Sequence, residues 1–220
     1  MVKMAIDVIY ILIVLGVILL SMTLHEAMHA FMGHFLGDDT AKVQGRLTLN
    51  PIKHIDPFMT ILLPVILALT PGMPIFGGAK PVPFNPNRVR YGEWGAALVA
   101  LAGPLTNFLI AFLAFGIGVV SGAITSQGIE TSLMGQIIST AVSVNLGFFI
   151  FNILPIPPLD GSRLLYALAP DSARRVMETI ERYGVIFVFI VVLLASSIIG
   201  QFMLTCMNVI ISLFTTIFSV

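Results

Sequence analysis

Charge is what this chain has least of. Its 220 residues carry 11 Lys and Arg against 11 Asp and Glu. Charged side chains make up 10% of the chain, where soluble domains hold roughly 25%. That composition excludes an ordinary soluble domain. With zero net charge and no basic face, the chain also lacks what nucleic acid binding requires. Cysteine is nearly absent. The single Cys206 excludes an internal disulfide and sits in an apolar run, where it reads as a small buried hydrophobe. Neither an internal repeat nor a low-complexity linker divides the sequence, so residues 1–220 read as a single membrane-embedded domain. What is abundant is apolar: 57% of the residues are hydrophobic and the mean hydropathy is +1.01.

The apolar residues fall into long runs. Met4–Leu36 is too long for a signal peptide and carries ionisable groups, so it reads as a retained helix. Trp94–Val120 and Gly135–Leu154 are clear spans, and Gly184–Ile217 is long enough to break, with Gly200-Gln201 as the expected position. Phe58–Thr70, interrupted by Pro64, falls short of the ~17–25 residues of a spanning helix and reads as a re-entrant or half-buried segment, with a short span as the alternative. Lys42–Leu49 alternates like a short strand, and 71–94 is rich in Pro and Gly, hence irregular or extended. The fold class is an all-α polytopic membrane protein of about four to six transmembrane segments. A small β-rich or re-entrant region separates its first two core helices. The core covers 4–165, and C-terminal helices cover 176–220. Lys and Arg concentrate in 37–57, 78–93 and 163–182 and are missing from 121–134, which by the positive-inside rule makes the first three cytoplasmic. The N-terminus is then on the opposite side.

The chemistry concentrates in Leu24-His25-Glu26-Ala27-Met28-His29. On a helix His25 and His29 lie on one face, one turn apart. That spacing suits two nitrogen ligands of one Zn²⁺, with Glu26 beside them as general base for an attacking water. The plainer reading is a pair of satisfied histidines in a packed helix. Against it, each ionisable group deep in a bilayer costs roughly 2.5–3.5 kcal/mol. About 30 Å of helix from Ala5 puts the histidines near the far membrane face, below its surface. A catalytic zinc usually has three protein ligands, and Asp160 is the best third, beyond Pro155, Pro157 and Pro158 at the end of the third span. The prolines make that segment extended, and Gly161 lets it turn. Alone, Asp160 also reads as a turn residue. Asn152 shares a face with Asn145 and is placed to hold a substrate carbonyl or oxyanion, or to bond between helices. His34 points away from His29, and His54 reads as an exposed loop histidine.

His25-Glu26-Ala-Met-His29, Asn152-Ile-Leu-Pro-Ile-Pro-Pro-Leu-Asp160-Gly161 and the intervening Ala102-Gly-Pro-Leu-Thr-Asn107 together resemble the site-2 protease family of intramembrane metalloproteases. Arg46-Leu-Thr-Leu-Asn50-Pro51 and Lys80-Pro-Val-Pro-Phe-Asn85-Pro86 fit it too, so the likeness spans most of 20–165. Ser162 stands where a second Gly is common in the family. The resemblance implies one Zn²⁺ per chain held by His25, His29 and Asp160. It also implies Glu26 as general acid/base and Asn152 at the substrate or oxyanion. It looks like a minimal form without a PDZ or CBS domain, in the cell membrane, with the site toward the cytoplasm. Its substrates would be single-span membrane proteins cut within the bilayer. Extended chain near 43–49 and 78–86 is expected to pair with them as an added strand. The rival class is a metal carrier or an idle scaffold for membrane helices. It leaves Glu26 without a task, and the oligomeric state is not legible.

Overall fold

The computed structural model describes residues 8–69 and 78–220. The first residues of the expected opening helix, 4–7, the last of the short apolar segment, 70, and residues 71–77 of the Pro- and Gly-rich stretch lie outside the described residues. The helices in chain order are α1 (Val8–Phe35), α2 (Thr40–Val43), α3 (Leu63–Leu69), α4 (Gly92–Val120), α5 (Leu133–Asn152), α6 (Ser162–Leu168) and α7 (Asp171–Phe218). Among the described residues, four helices are long and apolar enough to cross a membrane: α1, α4, α5 and the Leu194–Phe218 part of α7.

Helix α4 is central. It packs along α5 and α1 and touches α6 and α7. Its inward face carries Ala96, Ala97, Ala100, Gly103, Asn107 and Ala111, small enough to let neighbouring backbones approach. Leu98, Leu105, Leu109, Leu113 and Ile117 are exposed on its outer side, which is where lipid would meet it. The apolar core lies toward the α4–α5 connection. There Ala111, Phe115, Ile138, Val142, Leu146 and Phe214 are buried, and Phe108, Phe112, Phe214 and Phe218 pack ring against ring at 5.2–5.7 Å. At that end β1 (Ile124–Thr125) and β2 (Gly128–Ile129) form a two-residue antiparallel ladder.

The region between α1 and α4 differs from the sequence expectation in one respect. Among its described residues there are no paired strands. Residues 40–45 form a helical turn, because the Asp38 carboxylate accepts from the Thr40 N–H at 3.0 Å and starts α2. Gly45, at φ 65°, then ends it. The short apolar segment is a π-helical stretch, Pro57–Leu62, running into α3, and its described residues form an apolar helix shorter than the four candidate spans. Asp56 caps it, accepting from the N–H groups of Phe58 and Met59 at 3.0 and 2.9 Å. Pro64 has no N–H to offer the preceding turn, and the helix widens just before it.

Residues 78–85 run as an extended strap across the inner end of α1. Gly78, Lys80 and Val82 turn their N–H groups inward, to Met59 O at 3.0 Å, His54 O at 2.9 Å and the Glu26 carboxylate at 2.7 Å. Pro81 and Pro83 between them have no N–H, so the outer edge offers an added strand acceptors and few donors. The expected pairing edge at 43–49 is absent, because that chain is helical turn and bend.

Two further expectations are corrected. The break in α7 falls at Gly184 (φ 51°, ψ −132°) and Ala195 (φ −114°, ψ 20°), not at Gly200-Gln201. Gly184 adopts a positive φ that glycine alone takes freely. Residues 153–161 are a coil of turns rather than an extended segment. Leu159 N–H bonds Ile156 O at 2.8 Å, and Gly161 N–H bonds the Asn152 carbonyl at 2.7 Å, closing the loop under the end of α5.

Candidate metal centre

Helical spacing puts His25 and His29 on the face of α1 that meets α4, and Gly103 is what lets them sit there. A Cβ built on Gly103 would lie 2.4 Å from His29 Nε2 and 2.7 Å from His25 Cε1. Each ring is then pinned from behind. His25 Nδ1 is 2.6 Å from Asn107 Oδ1, and His29 Nδ1 is 2.8 Å from the Val99 carbonyl. Both partners are oxygens that only accept, so each Nδ1 carries a proton and each ring turns its Nε2 inward. Pro104 removes the N–H that would pair the Ala100 carbonyl, loosening α4 beside the Val99 carbonyl used by His29.

The turn coil after α5 delivers Asp160 to the same point. Its Oδ2 lies 3.2 Å from His25 Nε2 and 3.5 Å from His29 Nε2, while the two Nε2 atoms are 3.0 Å apart. This oxygen is buried and has no hydrogen-bond donor. Three potential metal-ligating atoms therefore converge at one point, an arrangement that a cation would join. A tetrahedral zinc with bonds of about 2.0–2.1 Å spaces its donors about 3.3–3.4 Å apart. The three measured separations straddle that value, and His/His/carboxylate is a donor set zinc accepts. His25, His29 and Asp160 form the cluster of metal-ligating side chains found among the described residues.

Glu26 follows His25 on α1 and is 7% exposed. Its Oε2 accepts the Val82 N–H of the strap at 2.7 Å, which fixes the carboxylate beside the centre. Asn152 is half-buried at the last turn of α5, and its side chain makes no hydrogen bond among the described residues. The other two histidines stay apart. His34 pairs with Asp39 at 2.6 Å. His54 is not the exposed loop histidine of the sequence reading. It is 1% exposed, with Nε2 2.9 Å from the Thr48 carbonyl, and braces the strap through its own carbonyl.

Around this centre stand four supports that sequence reasoning did not assign. Asn107 touches His25. The signal was available as an Asn four residues after Gly103 on a membrane helix, but which neighbour it meets depends on the rotation of α4. The Val82 N–H is a backbone group and leaves no residue-type signal at all. Arg163, just past Asp160, ion-pairs with Glu181 of α7 and lies 5.5 Å from the Phe84 ring centre and 4.8 Å from that of Tyr166. The Tyr166 hydroxyl donates to Glu181 at 3.0 Å. Burial and the Glu181 carboxylate together push its pKa above the ordinary phenol value. This clasp ties α6 to α7 and to the end of the strap. A last support is electrostatic. Burial alone would raise the Asp38 pKa. The Thr40 hydroxyl and N–H, the Asn85 N–H and the Arg88 charge outweigh it, so the carboxyl sits below its ordinary value.

Comparison with known proteins places these features. Residues 118–196 match the family model described as Peptidase family M50. YwhC of Bacillus subtilis (strain 168), named as a candidate zinc metalloprotease, is 40% identical over 205 residues, covering 91% of this chain and 90% of that protein. Rip2 of Mycolicibacterium smegmatis, named likewise, is 31% identical over 197 residues, covering 88% and 70%. Rip2 of Mycobacterium tuberculosis (strain H37Rv) is 28% identical over 189 residues, covering 84% and 67%. No solved structure matches the chain significantly.

Proposed function

Since this chain belongs to peptidase family M50, the site-2 protease family, we propose that it is a zinc endopeptidase that cuts transmembrane segments of other membrane proteins. The observation that carries the proposal is the convergence of His25 Nε2, His29 Nε2 and the donorless Asp160 Oδ2, with Glu26 beside them, inside an apolar helical bundle. His25, His29 and Asp160 would hold one Zn²⁺. When bound, zinc polarises the scissile carbonyl and lowers the pKa of water toward ~7.

The chain's own residues do the rest. Glu26 has one oxygen held by the Val82 N–H and the other free to take the proton of an attacking water. It then returns that proton to the leaving amine. Asn152, half-buried at the last turn of α5, would donate to the oxygen that gains charge during attack. The substrate is a membrane helix because the site lies among helices with lipid-facing outer surfaces. Such a helix must unwind locally to present a carbonyl.

The Lys and Arg distribution supports a multi-pass arrangement in the cell membrane with the active site toward the cytoplasm. With α1, α4, α5 and the end of α7 as crossings, residues 37–69, 78–91 and 153–193 would share one side, and they carry most of the positive charge.

Co-expression with a library of tagged single-span proteins tests the reading. Wild type should release a shortened tag fragment from at least one of them. Glu26→Gln should abolish release while purified protein keeps its zinc. Release unaffected by that substitution refutes the role of Glu26. A wild type that binds no zinc refutes the metal centre.

A further inference from the structure

The back of the His25 ring is held by a side chain, and that side chain is held by another. Asn107 on α4 donates from Nδ2 to Asn145 Oδ1 on α5 at 2.9 Å. Asn145 in turn donates from Nδ2 to Ser21 Oγ on α1 and to the Ala141 carbonyl, both at 2.8 Å. Asn107 and Asn145 are 0% exposed and Ser21 is 3% exposed. The chain of bonds therefore starts on α1, crosses α5 and α4, and returns to α1 one turn further along, at His25.

The direction of every bond in this chain is determined. The Ala141 carbonyl only accepts, so the Asn145 NH₂ must face it, and Asn145 Oδ1 is left to face Asn107. Asn107 must then present its NH₂ to Asn145 and its Oδ1 to His25. An amide oxygen requires the proton of His25 on Nδ1, which leaves Nε2 bare toward the centre. A flipped Asn107 would set NH₂ against Nδ1, move the ring proton to Nε2 and aim it at the other two donors. His29 needs no such relay, because the Val99 backbone carbonyl cannot flip.

We propose that Asn107 is a positioning residue of the zinc centre, oriented by Asn145 and Ser21, whose task is to fix the tautomer and angle of His25. The proposal rests on the reading of His25 as a zinc ligand. The plainer role for such a network is glue between membrane helices. The two roles separate experimentally. Glue moves stability only, whereas the relay moves the histidine and its metal.

The test uses the full chain in detergent micelles, with three readouts: zinc affinity by chelator competition, the visible spectrum of the Co²⁺-substituted protein, and ¹⁵N-histidine NMR of the zinc-free protein. Outer partners of zinc-bound histidines typically change affinity by about 10–100-fold. Asn107→Leu should weaken zinc by roughly that factor, shift the Co²⁺ bands and give His25 a mixture of tautomers. Asn107→Asp keeps an acceptor for Nδ1 while losing the donor to Asn145. It should hold zinc within about threefold of wild type, despite a lower melting temperature. Asn145→Leu leaves Asn107 in place but free to rotate, so it should lower affinity and reintroduce the second tautomer. Unchanged zinc affinity and tautomer in Asn107→Leu would overturn the relay, as would an Asp variant no better than Leu. If Asn107→Leu does not fold, the comparison of Asn107→Asp with Asn145→Leu decides on the same criteria. A wild type without stoichiometric zinc would overturn the parent reading, and the relay with it.

Discussion

The contact between Gly103 and the two histidine rings makes a quantitative prediction. In Gly103→Ala the new Cβ would sit 2.4 Å from His29 Nε2, 2.6 Å from His29 Cε1 and 2.7 Å from His25 Cε1. Carbon packs at about 3.5 Å or more, so each ring must retreat by roughly 1 Å. Neither can do so freely, because Asn107 and the Val99 carbonyl pin them from behind. Fold stability should change little. Overpacking costs about 1–3 kcal/mol, and Ala gains about 1 kcal/mol over Gly in a helix interior. The metal centre is far less tolerant, since donor distances must hold to about 0.2 Å and a 1 Å misplacement costs about 100-fold in rate. Purified Gly103→Ala should therefore melt close to wild type, lose most of its zinc on dialysis against a mild chelator, and cleave at about 1% of the wild-type rate or less. Gly33→Ala is the matched control. Its Cβ would meet only Val99 Cγ1 at 4.0 Å, on the same α1–α4 contact, and it should keep its zinc. Full zinc occupancy and normal cleavage in Gly103→Ala would refute the reasoning, as would equal loss in both variants.

Two other substitutions probe the supports. In Gly161→Ala the Cβ would lie 2.1 Å from the Ile153 carbonyl oxygen and 2.7 Å from that of Leu154. Those are backbone atoms that cannot step aside, so both zinc content and melting temperature should fall, by about 1–3 kcal/mol of stability in thermal unfolding. For Asp38 the folded-state pKa lies below the unfolded one. Its carboxylate thus adds stability that is fully present above about pH 4 and lost as pH falls through the folded-state pKa. Asp38→Asn should be less stable than wild type by about 1–3 kcal/mol at neutral pH, and the gap should narrow on acidification. A gap that stays constant from pH 7 to pH 3 would rule out that linkage.

The parts of this molecule readable from sequence are those set by local rules. Hydropathy marks the long helices, and 3.6-residue periodicity puts His25 and His29 on one face. The Pro155–Pro158 run correctly marks where α5 must stop and where Asp160 leaves the helix. What the sequence does not carry is rotation and contact. Asn107, Asn145 and Ser21 each look like isolated polar residues until the helices are set side by side. His54 looks exposed because its loop is polar, yet the strap covers it. Alternation over 42–49 suggests a strand, but the Asp38 carboxylate recruits Thr40 into a helical turn, a local side-chain bond that outweighs the pattern. One break in α7 depended on which glycine takes a positive φ, and the other falls at Ala195, which carries no residue-type signal for a break.

The distance along the chain between the donors has a consequence for how the protein is made. His25 and Asp160 are 135 residues apart. At about 5–20 residues per second of synthesis, the ribosome delivers the second some 7–27 s after the first. By the end of that interval α1 and α4 can be in the bilayer, yet the candidate centre has only two of its three proposed donors. The hydrolytic site is thus completed only once α5 has been made and its end has folded back. In a nascent chain the candidate metal centre thus stays incomplete until its own insertion is nearly finished.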